Sequence, residues 1–219
     1  ISTGKFLGAA AASNGKIIFA PYHADGVGVF DPSDNSFVLV DIASTITIND
    51  KFRGAATAGN GKVIFAPFNA DGVGVFDPNA LPEEAFTLVD ISPTISTDRK
   101  FHGAATVSNG KVIFAPFNAD GVGVFDPSDN SFVLVDIAST ISGSSKFRGA
   151  ATAGNGKVIF APFNADGVGV FDPNAPPEEA FTLVDISSTI STDNKFGGAA
   201  TASNGKVIFV PSAANGLGI

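Results

Sequence analysis

The chain of 219 residues has no Cys, no Met, no Trp, one Tyr, two His and three Arg. Without Cys there is no disulfide framework, zinc ribbon or thiol nucleophile. A net charge of −8, from 13 Lys+Arg against 21 Asp+Glu, makes it a poor binder of nucleic acid or anionic membrane. The longest apolar runs are about seven residues, far short of a membrane span. Asn-x-Ser/Thr does not occur among 15 Asn, so no N-linked glycan is expected. The chain starts at Ile1 rather than Met, which reads as a mature or trimmed product without a signal peptide. With 44% apolar and 16% charged residues there is material for a core, which argues against disorder.

What is present is a repeat. Lys-Phe recurs at positions 5, 51, 100, 146 and 195, at spacings of 46, 49, 46 and 49 residues. Four full units, 5–50, 51–99, 100–145 and 146–194, are followed by a partial unit, 195–219. The units alternate. The first and third carry Asp-Pro-Ser-Asp-Asn-Ser (31–36 and 126–131), the second and fourth a longer Asp-Pro-Asn-Ala-x-Pro-Glu-Glu-Ala. A larger period of 95 residues results, as a recent doubling or a constructed consensus would produce.

Each unit parses into four strands. In the second unit a small Gly/Ala-rich strand (54–58) meets an Asn60-Gly61 turn, with φ > 0 expected at both turn positions. A β-branched and aromatic strand (62–68) follows, then Asn69-Ala70-Asp71-Gly72 and a third strand (73–76). Asp77-Pro78 opens the last hairpin, whose return strand is 86–91. No stretch carries a helical period. Four antiparallel strands every 46 to 49 residues are the mark of propeller blades, which bury both faces only by stacking around an axis. The expected fold is one all-β domain, residues 1–219: a five-bladed β-propeller of four-stranded antiparallel blades, the last incomplete. A closed ring with a three-stranded final blade is favoured; the alternative is a fragment of a longer chain.

The segment 109–132, NGKVIFAPFNADGVGVFDPSDNSF, resembles a kelch repeat. Gly110-Lys111, the apolar run 112–115, Val124-Phe125-Asp126-Pro127 and Phe132 occupy comparable places. The family's Gly-Gly pair is replaced by Ala115-Pro116 and its Trp by Phe. The resemblance covers all four full units and half of the fifth. It implies a binding platform. The copper and radical-cofactor ligands of kelch-like oxidases need Tyr, Cys and His, so that activity does not carry over to a chain with Tyr22 alone, and no cofactor is expected.

The position x of Lys-Phe-x-Gly varies most within the repeat: Leu7, Arg53, His102, Arg148, Gly197. It begins the innermost strand, at the pore mouth. Arg53, His102 and Arg148 there form a weakly basic rim for an anionic or polar ligand; the plainer reading is drift at a position facing water. Asn69, Asp71, Asn118, Asp120, Asn164 and Asp166, from the Asn-Ala-Asp-Gly turns, offer oxygens to sugar hydroxyls or Ca²⁺; the plainer reading is that they cap their own turns. Glu occurs only as Glu83-Glu84 and Glu178-Glu179 in a peripheral loop, a poor basis for the carboxylate pair of a glycosidase. Near-identical blades also disfavour catalysis, which assigns different roles to different residues. The expectation is therefore a non-enzymatic binding or scaffolding module for protein or glycan through the funnel face. The alternative is a glycoside hydrolase-type enzyme with a site in the funnel. The incomplete fifth blade is expected to expose an edge for self-association.

Overall fold

A computed structural model describes residues 4–219. Among them every regular element is a strand, and no helix is long and apolar enough to cross a membrane. Blade one is β1 (Phe6–Ala11), β2 (Ile17–Pro21), β3 (Gly26–Asp31) and β4 (Ser36–Asp41). Blade two is β5 (Phe52–Thr57), β6 (Val63–Pro67), β7 (Gly72–Phe76) and β8 (Phe86–Asp90). Blade three is β9 (Phe101–Thr106), β10 (Val112–Pro116), β11 (Gly121–Asp126) and β12 (Ser131–Asp136). Blade four is β13 (Phe147–Thr152), β14 (Val158–Pro162), β15 (Gly167–Phe171) and β16 (Phe181–Asp185). Blade five has β17 (Phe196–Thr201) and β18 (Val207–Pro211), with one further bridge, Phe209 to Gly218. Each four-stranded sheet is an antiparallel meander in chain order. The described residues thus form an all-β propeller of five blades, the last incomplete.

The Asn-Gly turns differ from expectation. Only the glycine has positive φ, as at Gly61 (83°), and Gly61 N–H donates to Ala58 O at 2.9 Å. This is a three-residue connection, a type I turn followed by a left-handed glycine. The Asn stays at negative φ, and its Oδ1 accepts from the N–H two residues on, as Asn60 does from Lys62 at 3.1 Å.

The middle strands β6 and β10 are buried at every residue, because each blade presents an apolar surface to both neighbours. The two surfaces are unlike. The leading face, towards the next blade, is small and branched: Ile113, Val122, Val135 and Ile137 in blade three. The trailing face is aromatic: Phe147, Phe160, Phe171 and Phe181 in blade four. The same pairing joins blades one and two, and two and three. Phe52, Phe101, Phe147, Phe196, Phe65, Phe114, Phe160 and Phe209 are buried between blades as the repeat implied. Phe6 and Phe19 are the exceptions, only half-buried, because no described blade stacks on the trailing face of blade one.

Glycine lets the innermost strands approach. A Cβ on Gly54 would lie 2.7 Å from His102 O, and one on Gly103 2.7 Å from Arg148 O. The corresponding Gly198 of β17 meets nothing within 4 Å. Among the described residues no comparable packing joins β17 to β1. Among the described residues the expected ring closure is therefore not built as the other four junctions are.

Candidate functional site

Every innermost strand carries a register shift after its first residue, as between Phe52–Pro67 and Gly54–Ala66. The extra residue is the variable x. A bulge re-aims a side chain, and here it turns x between the aromatic rings that follow Ala-Pro in successive blades. The Arg53 guanidinium lies 4.9 Å from the Tyr22 ring centroid and 3.9 Å from that of Phe68. Arg53 Nη2 also donates to Tyr22 Oη at 2.9 Å. The His102 ring is 6.3 Å from Phe68 and 5.6 Å from Phe117. Arg148 sits 6.0 Å from the Phe117 centroid and 3.5 Å from that of Phe163. The order around the axis is Tyr22, Arg53, Phe68, His102, Phe117, Arg148, Phe163: cationic or imidazole groups alternating with rings. Leu7 and Gly197 end the series.

These three side chains are not drifting in water. Each is half-buried, the two guanidinium groups over ring faces and the His102 ring edge-on to Phe68 and tilted to Phe117, and each also lines an axial cavity of about 280 Å³ walled by the five innermost strands. No Asp or Glu lines that cavity. Buried Arg53 Nε and Arg148 Nε have no hydrogen-bond partner among the described residues. Burial, reinforced by the Arg53 charge, lowers the pKa of Arg148. Burial, with both guanidinium charges, pushes that of His102 down to about 3. His102 is thus neutral at neutral pH, and the positive charge of the site rests on the two arginines.

A pH dependence follows. His102 has a depressed pKa in the fold and an ordinary one near 6.5 when unfolded. Between those values the unfolded chain takes up a proton that the folded one does not, so stability falls as pH drops from 6.5 towards 3. Replacing His102 by Phe keeps an aromatic spacer and removes the proton. Melting temperatures of His102→Phe should decline less steeply than wild type across that window; parallel profiles would refute the assignment.

The Asn-Ala-Asp-Gly residues do not gather with the arginines. They build the blade junctions. Asn69 Oδ1 accepts from Arg99 N–H at 3.0 Å, Asn118 from Ser145 at 2.9 Å, and Asn164 from Asn194 at 3.0 Å. The Asp71, Asp120 and Asp166 carboxylates are exposed and lie 3.5, 3.9 and 3.7 Å from the ammonium groups of Lys100, Lys146 and Lys195.

Those lysines are what the sequence reading missed. Lys51, Lys100, Lys146 and Lys195 are fully buried. Each plugs into the turn of the preceding blade: Lys51 Nζ donates to Ala24 O at 3.0 Å and Lys100 Nζ to Ala70 O at 3.2 Å. Burial lowers the pKa of Lys51, Lys100 and Lys146, opposed by Asp25, Asp71 and Asp120 respectively. Recurrence before every Phe was the available signal. A threonine ladder adds to the junctions, with Thr57, Thr106, Thr152 and Thr201 Oγ1 donating to Ala11, Thr57, Thr106 and Thr152 carbonyls at 2.7 to 2.8 Å.

The sequence matches no protein-family model and no curated protein. Solved structures do resemble the chain. Virginiamycin B lyase from Staphylococcus aureus superposes with a TM-score of 0.75 at 14% identity, over 96% of this chain and 64% of the lyase. A catalytically inactive variant of that lyase, with quinupristin, gives 0.76 at 15% identity, over 99% and 67%. The extracellular domain of a hybrid two-component system from B. thetaiotaomicron gives 0.71 at 18% identity, over 97% of this chain and 27% of that one. The chain thus spans just under two thirds of the first lyase. At these identities the likeness shows the fold alone, and that fold is a β-propeller built of four-stranded repeats.

Proposed function

We propose that this propeller is a non-enzymatic binding module whose axial end takes a compact anion, in the glycan reading the carboxylate of an acidic sugar. The observation that carries the reading is the pair Arg53 and Arg148. Both guanidinium groups are held by aromatic faces beside a cavity without a carboxylate, and both leave a buried Nε unpaired. Stacking on rings fixes the plane of a guanidinium while leaving its N–H edge free for an oxyanion. His102 between them supplies a neutral polar group. A kelch-like origin of the repeat is part of this proposal, since propellers of that family mostly serve as binding platforms.

The enzymatic alternative, a glycoside hydrolase-type site in the funnel, calls for paired carboxylates at the axis. The residues lining the axial cavity are Leu, Gly, Ala, Arg and His. Solved propellers of similar fold include a lyase and a gluconolactonase-like protein, so fold alone does not choose.

Binding to an array of neutral and acidic glycans, followed by calorimetry, tests the reading. Acidic members should bind, and Arg53→Ala with Arg148→Ala should weaken them at least about tenfold, the scale of one charged hydrogen bond lost. Binding indifferent to that double variant, or turnover of the bound glycan, would sink it.

A further inference from the structure

His102 is held between two positive charges that no carboxylate of the axial cavity neutralises. It is the second residue of β9, between Arg53 of β5 and Arg148 of β13. The rings on either side of it, Phe68 and Phe117, are apolar. The rest of the cavity lining, from all five innermost strands, is Leu, Gly and Ala. Lys100, two residues earlier, turns its ammonium into the blade-two turn, 3.2 Å from Ala70 O and 3.5 Å from Asp71. The Asp71 and Asp120 carboxylates are exposed and face Lys100 and Lys146.

Burial and the Arg53 and Arg148 charges oppose a proton on His102. The backbone carbonyls of Arg148 and of His102 itself favour one but are outweighed. An oxyanion seated between the guanidinium groups reverses this balance. It offsets the charges that repel the proton, and it offers a strong acceptor to an imidazolium N–H. Linkage is reciprocal: an anion that strengthens proton binding is itself bound more tightly, by the same factor, once the proton is on.

We propose that the axial site takes its anion together with a proton, received by His102, so that the ligand is held more tightly in acid and released as pH rises. This rests on the anion-binding reading of Arg53 and Arg148. It gives a reason for the one imidazole in the series. An arginine at 102, as at 53 and 148, would attract an anion at every pH, whereas a histidine does so only when protonated. The sign is fixed by the direction of the change. Between the His102 pKa with the anion and the lower one without it, affinity rises as pH falls, by at most about tenfold per pH unit for one proton. Above that range affinity is flat.

The chain has two His, and His23→Asn, which installs the residue found at 69, 118 and 164, leaves His102 as the only imidazole for NMR. The probes are galacturonate, ionised above about pH 5, and inorganic sulfate, ionised throughout. Without a probe the His102 signal should not titrate down to about pH 4.5. With either probe at saturation it should titrate between about pH 5 and 6, towards the ordinary value of 6.5. Affinity by calorimetry should rise about three- to tenfold from about pH 7 to about pH 5. In His102→Phe that rise should vanish; the titration decides the matter should this variant not fold. Binding that Arg53→Ala with Arg148→Ala weakens, but with His102 still silent and affinity flat, overturns the proton linkage and leaves the anion site standing. Failure of both probes to bind at either pH overturns both.

Discussion

Replacing Phe114 by Ala should destabilise the protein by about 3–5 kcal/mol, the range for removing a fully enclosed aromatic ring. Phe114 is completely buried in the centre of β10. Its ring lies 5.6 Å from that of Phe101, and both pack on Ile64, Val73 and Val75 of the preceding blade. Backbone pairing on both sides of β10 leaves little room for the site to collapse, so the cavity persists. The repeat supplies its own control. Phe19 holds the same place in blade one but is half-exposed, and Phe19→Ala should cost roughly 1–2 kcal/mol, in proportion to the apolar area still buried. Denaturant titration of both variants measures the contrast. Equal losses would mean that blade one is covered in solution, and a loss below about 1 kcal/mol for Phe114→Ala would remove it from the core.

Completing blade five should raise stability by about 2–4 kcal/mol. Ile219 occupies the place of Val170, so the natural addition after it is a copy of residues 171–186. A cavity of about 590 Å³ lies there, lined by Ile186, Ile190, Phe196, Phe209 and Leu217. It is where the counterparts of Phe171 and Phe181 would sit; in blade four both are buried against blade three. Burial of the two phenylalanines, the remaining apolar contacts of the added segment and the pairing of a fourth strand together outweigh the entropy of ordering it. For a chain of this size that corresponds to a rise in Tm of roughly 5–10 °C. The third strand, reduced to one bridge at Gly218, would gain a partner on its open edge. An unchanged Tm would show that the edge is already covered.

The propeller was legible in the sequence because its cause is local and recurs. Period-two apolar runs, turn residues at constant offsets and the 46- and 49-residue spacing make four strands per unit almost without regard to what surrounds them. The variable position was also legible, as the place where Leu7, Arg53, His102, Arg148 and Gly197 differ inside near-identical units. Its meaning was not. A bulge of one residue decides whether that side chain faces water or slides between two rings, and a bulge leaves no mark in composition. The rings themselves come from neighbouring blades, so the alternation of arginine, histidine and aromatic exists only once the blades stack.

The lysines make the same point more sharply. A lysine read along a chain is a surface residue, and it stays one until another blade closes over it. Lys5 and Lys51 precede the same Phe and begin the same strand. One is exposed and the other buried, because among the described residues a preceding blade packs on Lys51 and none packs on Lys5. Local sequence therefore determined strands, turns and the aromatic and branched composition of each blade. Burial and charge environment were decided by the order of the blades in space, because a side chain's surroundings in a propeller are mostly supplied by the blade next door.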